Sequence, residues 1–138
     1  MYVKDTVYHL ATTSAHYKRA RQFLSNHDAV FERLTFPTIT AERDDEIIGV
    51  LSTQHHDSAI IAGPLVVDIG DGNPSFVVIR LWQAYERVLH EAGVTEYLFA
   101  VPEGESAWNE AVNQMEVDVW KHHKGAIWYR KGVEWDLK

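Results

Sequence analysis

Apolar and polar positions change period several times along the chain, and each change predicts an element. Residues 2–9, YVKDTVYH, alternate and predict a first strand. Thr13 or Ser14 is placed to cap a helix running to about Leu24, with Ala15, Tyr17, Ala20 and Phe23 partly apolar. A second short helix is expected over Asp28–Leu34, stopped before Pro37, because proline disfavours helix in the residue preceding it. From Thr38 the period becomes two. TITAERDDEIIGVLSTQ reads as two strands around a tight turn at Asp44-Asp45, and QHHDS reads as the next turn.

AIIAGPLVVDI follows, long and almost continuously apolar, as in a strand buried on both faces. Gly63-Pro64 interrupts it. Proline cannot donate to a sheet ladder, so a bulge or kink is expected there. The stretch IGDGNPSF then leads into a helix. Asn73 is a good N-cap residue, and Pro74 suits the first helical position. Val78, Leu81, Trp82, Tyr85, Val88 and Leu89 form one apolar stripe, with Arg80, Gln83, Glu86, Arg87 and His90 largely opposite. Gly93 stops the helix, and TEYLFAV is a second buried strand. Strand, turn, helix, glycine and strand over residues 59–101 make a βαβ unit whose two strands should be parallel neighbours. ESAWNEAVNQM predicts a short helix starting near Glu105 or Ser106, and VDVW and AIWYRKGVEW predict closing antiparallel strands.

Composition narrows the class. The 138 residues suit a single α/β domain over 1–138, with no repeat, low-complexity tract or Gly/Ser linker to divide it. No apolar run approaches the ~18 residues of a membrane span, and the N-terminus lacks a signal-peptide core. The chain has no cysteine, which excludes disulfides, thiolate metal sites and thiol nucleophiles. A cytoplasmic location is the expectation. Thirteen Lys and Arg against twenty Asp and Glu give a net charge of −7, which disfavours nucleic acid and favours basic or neutral partners.

The order of elements, and above all GPLVVDIGDGNPSFVVIRLWQAYERVLHEAGVTEYLFAV, resembles the GCN5-related N-acetyltransferase (GNAT) fold over almost the whole chain. The divergent turn and the closing IWYRK strand are similar, more loosely, to GNAT-like proteins of tailed phages. The resemblance implies a mixed central sheet with a βαβ crossover flanked by helices. It implies that two central strands splay to admit the pantetheine arm of acetyl-CoA, and that the turn's amides hold the pyrophosphate. On this sequence those positions are Val66 and Val67 at the strand end and Gly70, Gly72, Asn73, Ser75 and Phe76 in the turn and helix start. A helix N-terminus suits phosphate, and glycines let a backbone come close. The turn departs from the family pattern: its basic or amide residue is missing, Asp68 and Asp71 flank it, and Pro74 removes one amide.

The resemblance further implies direct acyl transfer to an amine, which needs a base for the amine and an acid for the leaving thiolate. Asp68 and Glu103 stand at the ends of the two strands expected to splay and are the candidate bases, with Glu42 as an alternative. The family often draws its acid from a Tyr on the helix after its fifth strand, the one matched here by TEYLFAV. That helix has none here, which leaves Tyr129 as a distant substitute. His55-His56-Asp57 and His122-His123 could suggest metal binding. Adjacent strand residues point to opposite faces, however, so no metal site is expected, and both pairs suit turns or edges. Trp108, Trp120, Trp128 and Trp135 are expected in packing. Two functions stay open: an acyl-CoA-dependent N-acyltransferase acting on a small-molecule or protein amine, and a non-catalytic GNAT-like module that binds a partner or forms a homodimer.

Overall fold

A computed structural model describes residues 5–70, 74–102, 112, 117–123 and 125–133. The expected helix over 105–115 lies outside these residues apart from Val112, which is buried in the core. The described elements are β1 (Val7–Leu10), α1 (Ser14–Asn26), β2 (Thr35–Arg43), β3 (Glu46–His56), β4 (Ala59–Val67), α2 (Ser75–Glu91), β5 (Glu96–Pro102), β6 (Asp118–His123) and β7 (Ala126–Gly132). They build one mixed sheet in the order β1-β2-β3-β4-β5-β7-β6. β4 and β5 pair in parallel, as the βαβ pattern requires, and the other described pairs are antiparallel.

The hairpin turns follow their expected chemistry. Asp44 and Asp45 both take positive φ, 50° and 64°, which matches the right-handed twist of the flanking strands. Aspartate tolerates this region better than most residues. Asp57, at φ 55°, opens the β3–β4 turn, so His55 and His56 stand at the exposed end of β3.

Both helices close in the same way. At the end of α2, Gly93 takes φ 77°, Val94 N–H reaches Leu89 O, and Gly93 N–H reaches His90 O. At the end of α1, Asp28 takes φ 57°, Ala29 N–H reaches Leu24 O, and Asp28 N–H reaches Ser25 O. Each is a Schellman closure. The second closure corrects the expectation of a helix over Asp28–Leu34. With Asp28 left-handed, the chain leaves α1 without helical structure and enters β2, and Leu34 packs back against α1. Thr13 caps α1, its Oγ1 accepting from His16 N–H at 3.1 Å.

The helices cover opposite faces. Val50 packs with Ala20, Phe23 and Leu24 of α1, whereas its neighbour Leu51 packs with Leu81, Tyr85 and Leu89 of α2. Gly49 lets α2 settle closely, for a β-carbon there would lie 3.1 Å from Leu81 Cδ1 and 3.2 Å from Val67 Cγ2. The buried stripe of α2 is Val77, Leu81, Tyr85 and Leu89, so Val77 takes the place expected of Val78.

Glu86, expected on the polar side, is also buried. Its carboxylate accepts from Lys131 Nζ at 2.9 and 2.5 Å and from Tyr97 Oη–H at 2.8 Å, and Trp82 Nε1–H donates to Tyr97 Oη at 2.6 Å. The pair ties α2 to β7 across β5. Removing one partner of a buried ion pair strands the other charge. Lys131→Met is therefore expected to cost about 3–5 kcal/mol in urea unfolding, and Lys131→Met with Glu86→Leu much less.

Candidate active-site cleft

Three features meet at the C-terminal end of β4: a bulge, a gap beside β5 and the turn into α2. β3 pairs Leu51 with Leu65 but Thr53 with Ala62, so Ser52 faces two residues, Gly63 and Pro64. The expected bulge is present, and Gly63 takes φ 138°, a region open in practice only to glycine. Beyond it β4 stays with β3, through Val66↔Val50, Val67↔Gly49 and Asp68 N–H to Ile48 O at 2.8 Å. β5 stays with β7 as far as Pro102↔Ala126. Between β4 and β5 the described register holds one pair, Ile61↔Leu98. Each strand thus follows its outer neighbour, and the facing edges of residues 63–67 and 99–102 run on without a ladder between them.

Val66 and Val67 sit on this diverging edge and point to opposite faces, Val66 toward the α1 cluster and Val67 toward the α2 cluster. Gly70 follows with φ 75°. Gly72 and Asn73 lie outside the described residues. Pro74 stands at the N-cap with no side-chain hydrogen bond, and α2 begins at Ser75, one residue later than expected. Phe76 is 63% exposed, with the Arg80 guanidinium 5.0 Å from its ring centre, so its ring lies at the surface.

Asp68 is held on both oxygens. Oδ1 accepts from Gly70 N–H at 3.0 Å, and Oδ2 lies 2.8 Å from His27 Nε2. The other ring nitrogen of His27, Nδ1, lies 2.8 Å from Phe23 O. Both imidazole nitrogens face acceptors, an arrangement that favours the doubly protonated ring, an imidazolium. The sequence has no cation beside Asp68. The fold brings one from the end of α1, forty-one positions away, and no local pattern could have pointed to it. The pair joins the end of α1 to the end of β4.

The hydrogen bond to Asp68, then that to Phe23 O, raises the His27 pKa above the ordinary 6.5. The His27 bond, followed by that from Gly70 N–H, lowers the Asp68 carboxyl below the ordinary 3.8. Neither shift favours Asp68 as a proton acceptor near neutrality.

Glu103 lies outside the described residues. Tyr129 is buried on β7, its ring stacked on Phe99 of β5 at 5.3 Å, and so belongs to the α2 face of the core one strand from the gap. Glu42 is on β2, away from the gap. It accepts from Arg19 at 2.7 Å and from Thr40 at 3.0 Å, bonds that outweigh its burial and lower its pKa. Among the described residues no cluster of His, Asp or Glu could hold a metal ion, and no helix is long and apolar enough to cross a membrane.

No family model matches the chain, and no curated protein does. Solved structures do. N-acyl amino acid synthase FeeM from uncultured soil microbes aligns with a TM-score of 0.74 at 10% identity, over 95% of this chain and 92% of its own. Diaminobutyrate acetyltransferase EctA from Paenibacillus lautus, in complex with L-2,4-diaminobutyric acid and coenzyme A, aligns at 0.68 with 10% identity, over 98% and 99%. A GNAT-family acetyltransferase from Staphylococcus aureus Mu50 aligns at 0.67 with 9% identity, over 94% and 100%. The chain has the GNAT fold. The parted strands β4 and β5, with α2 connecting them, are the region where the GNAT resemblance implies cofactor binding.

The His27–Asp68 pair has a defined pH window. His27, raised, contributes stability that is present below its unfolded value and lost as pH rises through its folded value. Asp68, lowered, contributes stability that is present above its unfolded value and lost as pH falls through its folded value. NMR titration of the His27 ring is expected to give a pKa above 6.5. Asp68→Asn should return it toward that value; an unshifted His27 would show that the pair does not form in solution.

Proposed function

We propose that the protein is an acyl-CoA-dependent N-acyltransferase, with acetyl-CoA as donor and an amine as acceptor. The parting of β4 from β5 after Ile61↔Leu98 carries this reading. Unladdered strand edges offer main-chain donors and acceptors to the amide-bearing pantetheine arm. Val66 and Val67 would flank that arm. Gly70, Gly72, Asn73, Ser75 and Phe76 would receive the pyrophosphate at the start of α2, where main-chain N–H groups lack helical partners.

His27 supports the phosphate role of the turn. An imidazolium beside Asp68 offsets the carboxylate that would otherwise repel a diphosphate. In this reading Asp68 shapes the turn, Glu103 becomes the base that frees the amine, and Tyr129 is the candidate donor to the thiolate. The acceptor is an amine of a small molecule or a protein. The net charge of −7 favours one that arrives as a cation.

One observation favours a second reading, a GNAT-like module that binds a partner without catalysis. Gly70 N–H, a donor the pyrophosphate could use, is already occupied by Asp68 Oδ1. Thermal unfolding with and without acetyl-CoA separates the two. Ligand at about one hundred times its dissociation constant adds roughly 2.7 kcal/mol, a rise of several degrees in Tm. A rise abolished by Gly72→Asp would locate the ligand at the turn. No rise at millimolar acetyl-CoA would eliminate the transferase and leave the binding module.

A further inference from the structure

A groove of about 440 Å³ runs between the edge strand β1 and the flank of α2. Ile39 and Val88 contribute apolar wall. Tyr8 from β1 and Arg80 and Gln83 from α2 contribute polar groups. The Tyr8 hydroxyl is buried, and among the described residues it is the one buried side-chain polar atom without a hydrogen-bond partner. Native folds rarely leave such a group unmet, and a ligand or ion is a standard reason when they do.

The charges around it point to the ligand's sign. Arg80 forms no ion pair among the described residues, and its guanidinium rests over the Phe76 ring at 5.0 Å. The carboxylate on the groove, Glu91, is taken by Arg87 at 3.3 Å. Arg43, whose Nε donates to Thr6 Oγ1 at 2.6 Å, adds positive potential at Tyr8. Burial raises the phenol's pKa, with the Arg80 and Arg43 charges opposing it, so the hydroxyl stays a donor. A guanidinium without a carboxylate partner among the described residues and an O–H without an acceptor line one groove, which in a chain of net charge −7 is a local reversal of the molecule's overall sign.

We propose that this groove is an oxyanion site, in which Tyr8 Oη–H and the Arg80 guanidinium hold a carboxylate or phosphoryl group and Gln83 offers a further donor. Guanidinium presents a planar fork that fits either group. The groove lies on the β1 side of α2, and Tyr8 has no part in the transferase reading, so the shift at Tyr8 is the one that separates this site from the turn.

NMR of the Tyr8 ring and the Arg80 Nε–H, during titration with inorganic phosphate and separately with succinate, tests it. Saturable shifts at both residues in the millimolar range are expected. Binding should weaken by about tenfold or more in Tyr8→Phe and in Arg80→Gln. Saturation by phosphate alone assigns a phosphorylated ligand, and by succinate alone a carboxylate ligand. Tyr8→Phe deletes a donor that bonds nothing in the free protein, so its unliganded Tm should be unchanged or higher. Should it fail to fold, Arg80→Gln carries the test. Absence of a saturable shift with either anion, or shifts equal in wild type and Arg80→Gln, would overturn the proposal.

Discussion

Two backbone residues at Gly63-Pro64 set against one at Ser52 make β4 change course, and the shape of the candidate site depends on that change. A parallel pair can run together only while both strands twist alike. Once the bulge re-aims β4, it keeps its bonds to β3, β5 keeps its bonds to β7, and the space between them opens. The loss of parallel pairing is bearable because each strand is held along its other edge by an antiparallel ladder. The polar edge groups are then left for water or a ligand. α2 crosses over from the end of β4 and is seated by the absence of a side chain at Gly49, which brings Leu81 down onto the sheet.

Electrostatics around this frame differ from what the net charge suggests. At −7 the chain is unpromising for an anionic cofactor, yet its charged groups are sorted. Asp68 is compensated by His27, Glu86 by Lys131 and Glu42 by Arg19. Arg80 stays outside this pairing among the described residues, stacked on an exposed ring rather than matched to a carboxylate. Net charge sets the far field; which groups remain to meet a ligand is decided by pairing within hydrogen-bond reach.

Much of the architecture was legible. The period-two runs became β2 and β3, the continuous apolar run became β4, the apolar stripe with Gly93 became α2 and its end, and Gly63-Pro64 became the bulge. The βαβ unit came out parallel, and the GNAT resemblance that it anchored was matched by solved structures. The misses were local choices settled by contacts elsewhere. Asp28 ended α1 in a conformation usually given to glycine, which the residue type hardly signals. Glu86 read as solvent-facing because its partners, Tyr97 and Lys131, lie on other strands, 11 and 45 positions on. Of the site, the strand end and the turn's position were readable, whereas the His27 cation was not.

By itself the sequence determined the order and type of most elements, the place where β4 breaks, and the exclusion of thiol chemistry. These follow from backbone sterics, periodicity and composition, which act over a few residues at a time. Only the tertiary structure decided which charges neutralise one another, which donors are already taken, and that Tyr8 of β1 and Arg80 of α2 line one groove. Those outcomes depend on distances between residues far apart in the chain, set by how the helices pack on the two faces of one sheet.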